Sequence, residues 1–129
     1  MLVGIGCDCI EIERFREAVR RGGDAFLRRL FTDEELFLCQ KNAEPIFCYA
    51  GRFAAKEALA KALGTGIGSE LSWKDMSVLN DSKGKPVVSW LIDVRSRFEV
   101  DQTFLSISHT HTIAIAQAVL TAVLGARPS

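Results

Sequence analysis

The run from Pro45 to Gly64, PIFCYAGRFAAKEALAKALG, constrains the chain more than any other stretch. Proline suits the first turn of a helix, where a missing N–H costs nothing. Glycine suits the left-handed position just past a helix end. The residues between are mostly small or apolar, so this helix is expected to pack against the rest of the protein. At about 100° per residue, Ile46, Ala50, Phe53 and Glu57 fall on nearly one line, with Lys61 close beside it. Glu57 is the anomaly. Glu57 and Lys61 stand i,i+4 in the favoured order, a surface pair worth about 0.2–0.5 kcal/mol. That pairing leaves unexplained why both lie along the Phe53 stripe. An unpaired buried carboxylate is costly, so Glu57 needs a partner. Lys61 is one candidate and a bound cation is another.

The remaining chain reads as short elements around that helix. Leu2 to Ile10 reads as a strand, and Glu11 to about Arg21 as a helix broken at Gly22-Gly23. A short helical piece follows, Asp24 to Leu30. Thr32 with Glu35 three residues on forms a capping box, opening a helix to about Asn42. DMSVLND and PVVSWL are strand-like runs about the turn signal DSKGKP. A short helix covers Leu91 to Phe98, and TFLSISHT and TIAIAQAVL are two alternating strands. The terminal GARPS is expected to fray. Helices cluster early and strands late, which predicts an α+β fold. With 129 residues, 1–129 is read as a single domain. A chain this short leaves apolar surface near the outside, which favours oligomerisation.

Charge and cysteine content narrow the function. Formal net charge is zero, so no nucleic-acid partner is expected across the whole surface. The run TIAIAQAVLTAVL is shorter than the ~20 residues a bilayer needs, and MLVGIGCDC lacks the basic leader of a secretory signal. No membrane partner is expected. Cys7, Cys9, Cys39 and Cys48 have no zinc-finger spacing. They are read as reduced, mostly packed thiols of a cytoplasmic protein.

Two further features carry chemistry. Alternate residues of a strand share a face, so Val3, Ile5, Cys7 and Cys9 form an apolar face and Gly4, Gly6 and Asp8 the other. Two glycines beside an acid let something approach the backbone closely. Asp8 either belongs to such a site or caps the helix beginning at Glu11. Two carboxylates without a cluster of soft ligands suit Mg²⁺, which keeps several waters and bridges to phosphates. The loop GTGIG lacks the Lys-Ser/Thr of a Walker loop and reads as a C-cap and turn, with N–H groups able to form a small anion nest. In SISHTHT, a regular strand would put His109 and His111 on one face. Such a pair can bind zinc, but no third ligand stands out.

GIGCDCIEIERF, RLFTDEEL, RFAAKEALAKALGTG, GKP and SISHT together resemble the bacterial holo-(acyl-carrier-protein) synthases, the short 4′-phosphopantetheinyl transferases. They stand in the family's order and approximate spacing, from Val3 to about Leu120. The resemblance implies the 4′-phosphopantetheinyl transferase fold, an antiparallel sheet packed with one long and several short helices. It implies transfer of phosphopantetheine from coenzyme A to a serine of apo acyl carrier protein, with adenosine 3′,5′-bisphosphate released, Mg²⁺ required and fatty acid biosynthesis served. Asp8 and Glu57 match the metal ligands, and Lys61 a contact to the diphosphate; these three are the expected catalytic residues. Arg52, Gly64, Pro86, Ser108 and His109 match coenzyme A contacts. Arg14, Arg21 and Arg28 fall in the region that holds the acidic carrier helix. Ile113 departs from the family, which commonly has an aromatic a few positions after Ser-His.

The resemblance also implies a homotrimer. The chain is about half as long as transferases with two pseudo-repeats, so one copy supplies half of a two-lobed site. Ile115 and Ala116 are expected at the contact between copies. The Arg run by itself reads as a solvated helix face, and two other classes stay open on the residues alone: a non-catalytic basic adaptor that binds an acidic protein or nucleic acid through the Arg region, and a zinc hydrolase using His109 and His111.

Overall fold

The helix that begins at Pro45 is α3, Pro45–Leu63, closed by Gly64 at φ 82° with its N–H bonded to the Ala60 and Lys61 carbonyls. In the computed structural model, which describes residues 1–123, this helix lies across a three-stranded sheet. The GARPS tail lies outside the described residues. The sheet is antiparallel, with β5 (Ile113–Thr121) between β1 (Leu2–Glu11) and β4 (Gln102–His109). A second pair, β2 (Met76–Asn80) and β3 (Pro86–Trp90), forms a hairpin about the DSKGKP turn. The other helices are α1 (Ile12–Leu30), α2 (Asp33–Gln40) and the short α4 (Val94–Phe98), with a 3-10 turn at Trp73–Asp75. The α+β class and the expected elements are present.

Backbone meets backbone where α3 crosses β1. A Cβ on Gly4 would stand 1.9 Å from the Ala62 carbonyl oxygen, and one on Gly6 1.9 Å from that of Ala58. No side chain fits there. The helix offers alanines to the sheet in return: Ala54, Ala58 and Ala62 are buried, facing Ala116, Ala118 and Leu120 of β5. Small residues on both sides set a short helix-to-sheet distance.

α1 is two helical pieces. Gly23, at φ 61° and ψ −153°, breaks it where the Gly22-Gly23 pair predicts. The α2 capping box forms as expected: Thr32 Oγ1 accepts from the Glu35 N–H, and Glu35 accepts from the Thr32 N–H at 2.8 Å. Glu35 does more than cap. Its carboxylate and the Lys56 ammonium are both fully buried, 2.6 Å apart. Lys56 also donates to the Leu30 and Trp73 carbonyls, each at 2.9 Å. The second Glu35 oxygen accepts from Val78 N–H at 2.7 Å. All three ammonium donors are thus used. Burial pushes the Lys56 pKa down, while the Glu35 charge and hydrogen bond pull it back up. This pair ties α1, α2, α3, the 3-10 turn and β2 together.

The cysteine reading is corrected. Cys39 and Cys48 are disulfide-bonded with Cα atoms 5.3 Å apart, and Cys7 and Cys9 are exposed thiols. The bond closes the short turn between α2 and α3, which brings two helix ends together. Cys7 and Cys9 are exposed because β1 turns its glycine face, not its apolar face, to α3.

Removing one partner of a satisfied buried ion pair strands the other charge. Lys56→Met is therefore expected to lower the unfolding free energy by about 3–5 kcal/mol, read by urea denaturation. The double variant Glu35→Gln/Lys56→Met, with no stranded charge, should lie closer to wild type than the single. A cost below about 1 kcal/mol for the single variant would remove the pair from this role.

Candidate active site

The glycine crossing places three charged side chains. Asp8 follows Gly6 by two residues on β1 and so shares its α3-facing side; across the sheet it pairs with Ala116. On α3, Glu57 precedes Ala58, whose carbonyl meets Gly6. Lys61 lies one turn further. Lys61 Nζ stands 3.1 Å from Asp8 Oδ1 and donates to the Cys7 carbonyl at 3.0 Å. The i,i+4 ion pair with Glu57 that the spacing allows is not the one made: Lys61 reaches across to β1. Asp8 does not cap α1 either. The N-cap is Glu11, without a side-chain bond.

Glu57 is half-buried. No hydrogen bond or ion pair joins its carboxylate to another described residue. Burial holds its pKa above the usual carboxylate range, the Asp8 charge raises it further, and Lys61 opposes both. The donor set fits a hard divalent cation: two carboxylates meet, one of them without a partner. Among the described residues no third His, Cys, Asp or Glu completes a cluster. That suits Mg²⁺, which retains waters and takes phosphate oxygens.

Among the described residues the expected nucleotide contacts are spread over α3, the β2–β3 hairpin and the end of β4. Arg52 is buried, with Nη2 donating to Asn80 Oδ1 at 2.7 Å. Asn80 pairs with Pro86 in the hairpin, so Arg52 and Pro86 stand together. Gly64 caps the far end of α3, about 18 Å along the helix from Arg52 at the usual rise. Ser108 pairs with Ile115 and points outward, while His109 falls on the opposite side of β4.

Among the described residues no third ligating side chain joins the two histidines. The His109 ring stacks on Phe47 at 5.0 Å and 16°, and His111 meets the same ring edge-on at 6.1 Å. β4 ends at His109, and Thr110 Oγ1 turns the chain by accepting from the Thr112 and Ile113 N–H groups. Regular alternation therefore does not extend to His111. Sequence reasoning missed Phe47, whose place beneath both imidazoles depends on the fold.

Arg14 and Arg21 project from α1 into solvent, Arg14 3.7 Å from Glu11 at the helix N-cap and Arg21 3.8 Å from Glu17 of the same helix. Arg28 is exposed beyond the Gly23 break. Beside Arg14 lies a groove of about 360 Å³ between α1 and α3, whose floor includes Phe15, Ala18, Phe26 and Phe53. Sequence reading found the basic residues and missed this apolar floor.

A family model described as the 4′-phosphopantetheinyl transferase superfamily matches residues 4–118. A holo-[acyl-carrier-protein] synthase of Protochlamydia amoebophila is 46% identical over 119 residues, which cover 92% of this chain and 98% of that protein. One from Chlamydia pneumoniae is 46% identical over 118 residues, covering 92% and 96%. Among solved structures, the Neisseria meningitidis holo-[acyl-carrier-protein] synthase matches with a TM-score of 0.88 at 33% identity, over 94% of this chain and 99% of that one. The Helicobacter pylori enzyme in complex with coenzyme A matches at 0.84 and 35% identity, over 91% and 99%.

Glu57 is expected to cost stability in the metal-free chain. Its folded pKa is raised, so the ionised form is disfavoured by folding. Wild type loses stability as pH rises from below the unfolded value, about 4.3, through the folded one. In a chelating buffer Glu57→Gln should therefore be the more heat-stable chain at pH 7, with the difference vanishing below about pH 4. Thermal unfolding across pH checks this; a gap that does not depend on pH would contradict it.

Proposed function

This chain belongs to the 4′-phosphopantetheinyl transferase superfamily, and we propose that Asp8, Glu57 and Lys61 form its reaction centre. The chain transfers 4′-phosphopantetheine from coenzyme A to a serine of apo acyl carrier protein, leaving adenosine 3′,5′-bisphosphate. The observation that carries the assignment of the centre is the meeting of two carboxylates and a lysine at the glycine crossing. A non-catalytic adaptor would not need it.

Asp8 and Glu57 would hold Mg²⁺, which when bound supplies positive charge to the coenzyme A diphosphate. The carrier serine oxygen bonds to the phosphorus that bears pantetheine, and the bridging P–O bond to the nucleotide phosphate breaks. The serine proton must leave. Glu57, with its raised pKa and no hydrogen-bond partner among the described residues, is the base in this reading, directly or through a water. Lys61, on its flexible stem, neutralises charge on the departing phosphate. No covalent enzyme intermediate is needed; positioning and charge do the work.

Arg52, Gly64, Pro86, Ser108 and His109 are assigned to coenzyme A, and their separation within one chain supports a pocket shared between copies. The outer face of the sheet supports the same reading. Ile5, Phe104, Ile113 and Ile115 are 58, 45, 37 and 40% exposed there, a patch of the kind that marks an interface. A cyclic homotrimer covers it and completes the site. Ala116 is a poorer test position than the alternation suggests, because it faces α3 and is 1% exposed. Arg14, Arg21 and Arg28 are assigned to the acidic carrier helix, with the Phe15 and Phe53 groove taking its apolar residues. Charge steers such an encounter. The holo carrier then serves fatty acid biosynthesis in the cytoplasm. The Cys39–Cys48 bond is the feature that pulls against that compartment. Among the described residues no helix is long and apolar enough to cross a membrane.

Incubation with coenzyme A, Mg²⁺ and an apo carrier, followed by weighing the carrier, tests the centre. Wild type should add one phosphopantetheine. Asp8→Ala and Glu57→Ala should lose most turnover with unchanged circular dichroism, and full activity in either would overturn the assignment.

Assembly has its own test. Ile115→Glu should dissociate the oligomer and abolish activity together, followed by sedimentation equilibrium and the same mass assay. A fully active wild-type monomer would rule out the shared site.

A further inference from the structure

We infer that Lys61 is the resident counter-ion of the carboxylate pair, and that its exchange from Asp8 to the coenzyme A diphosphate couples metal binding to diphosphate binding. The inference rests on the reading of Asp8 and Glu57 as the metal's ligands. It goes beyond a lysine that simply waits for phosphate, because the ammonium already has a place in the unliganded chain.

Lys61 has two carboxylates in reach and makes contact with one. It sits 3.1 Å from Asp8 Oδ1 and 3.0 Å from the Cys7 carbonyl, two acceptors on β1. The Asp8 side chain is 17% exposed and that of Lys61 52%. The ammonium therefore stands on the open side of a largely covered carboxylate. A divalent cation approaching Asp8 meets a positive charge already there, and the two repel. One must give way or share.

Comparison with Lys56 identifies a lysine that can leave. Lys56 is fully buried, with Glu35 and two carbonyls taking its three donors. Lys61 has its third donor and half of its stem in solvent. Its four-carbon chain carries a compact charge that can swing.

The charges make the exchange directional. Asp8, Glu57 and Lys61 together carry one excess negative charge, which repels a diphosphate. A divalent cation reverses that sign and releases the ammonium toward the incoming phosphates. By linkage, each ligand then raises the other's affinity by the same factor. Metal without coenzyme A must displace the lysine with nothing to receive it.

The test uses Mn²⁺ as the probe, with free ion counted by electron paramagnetic resonance and the full chain as it assembles. Without coenzyme A, Lys61→Met should bind Mn²⁺ roughly two- to fivefold tighter than wild type, the range for releasing one partly exposed ion pair. Coenzyme A should then raise Mn²⁺ affinity less in Lys61→Met than in wild type. Lys61→Arg keeps the charge and can hold Asp8 with a planar fork, so it should bind Mn²⁺ no tighter than wild type. Circular dichroism and sedimentation confirm that each variant folds and assembles. Equal or weaker Mn²⁺ binding by Lys61→Met overturns the inference and leaves the metal reading standing, provided Asp8→Asn and Glu57→Gln lose the ion. If those two bind Mn²⁺ as wild type does, or if wild type binds none, both fall.

Discussion

Two glycine Cα atoms pressed against the carbonyls of Ala58 and Ala62 fix the distance between β1 and α3. The remaining geometry follows from that contact. A methyl group at Gly4 or Gly6 would overlap helix backbone, which cannot yield as a flexible side chain would. Because the two backbones touch, residues flanking the crossing meet at short range. Asp8 leaves β1 just past Gly6, and Glu57 and Lys61 leave α3 on either side of Ala58. A wider crossing, filled by ordinary side chains, would set Lys61 too far from Asp8 for a 3.1 Å contact.

Neighbouring positions on α3 divide between support and chemistry. Lys56 turns inward and finds three acceptors, so its charge is fully compensated and serves to join five elements. Glu57, the next residue, finds none among the described residues and keeps a raised pKa. Perturbed, unpartnered groups gather at functional sites, and the contrast between these two residues supports the proposed place of Glu57 in the reaction centre.

Most elements were legible because their signals are local. Pro45 and Gly64 bracket α3, Thr32 and Glu35 form the capping box, and the Gly22-Gly23 pair breaks α1. Glu57 stood out because helix periodicity set it on the packed stripe, and the family resemblance joined Asp8 and Lys61 to it in the proposed centre. Features that depend on distant partners were not legible. The Lys56 acceptors come from α1, α2 and the 3-10 turn, and an i,i+4 view of α3 cannot reveal them. Cys39 and Cys48 pair only because the turn between α2 and α3 brings helix ends together. The side of β1 that faces inward follows from backbone packing, so ranking its faces by apolarity misleads. Phe47 beneath His109 and His111 is likewise a meeting of segments far apart in sequence.

The outer face of the sheet and the scattered residues proposed to hold coenzyme A constrain one another. Small alanines let α3 lie close on one side; on the other, where Ile5, Ile113 and Ile115 stay exposed, the described residues supply no second layer. Ser108 projects to that uncovered side, and His109, one residue on, to the helix side. A ligand held by both must pass around the end of β4 and leave the protection of a single chain. A second copy laid on the apolar face, as proposed, would remove the exposed isoleucines from water and would wall that end of β4 with the same contact. In the proposed assembly the hydrophobic gain from covering the sheet would drive formation of the pocket, and a chain that stays alone would have neither.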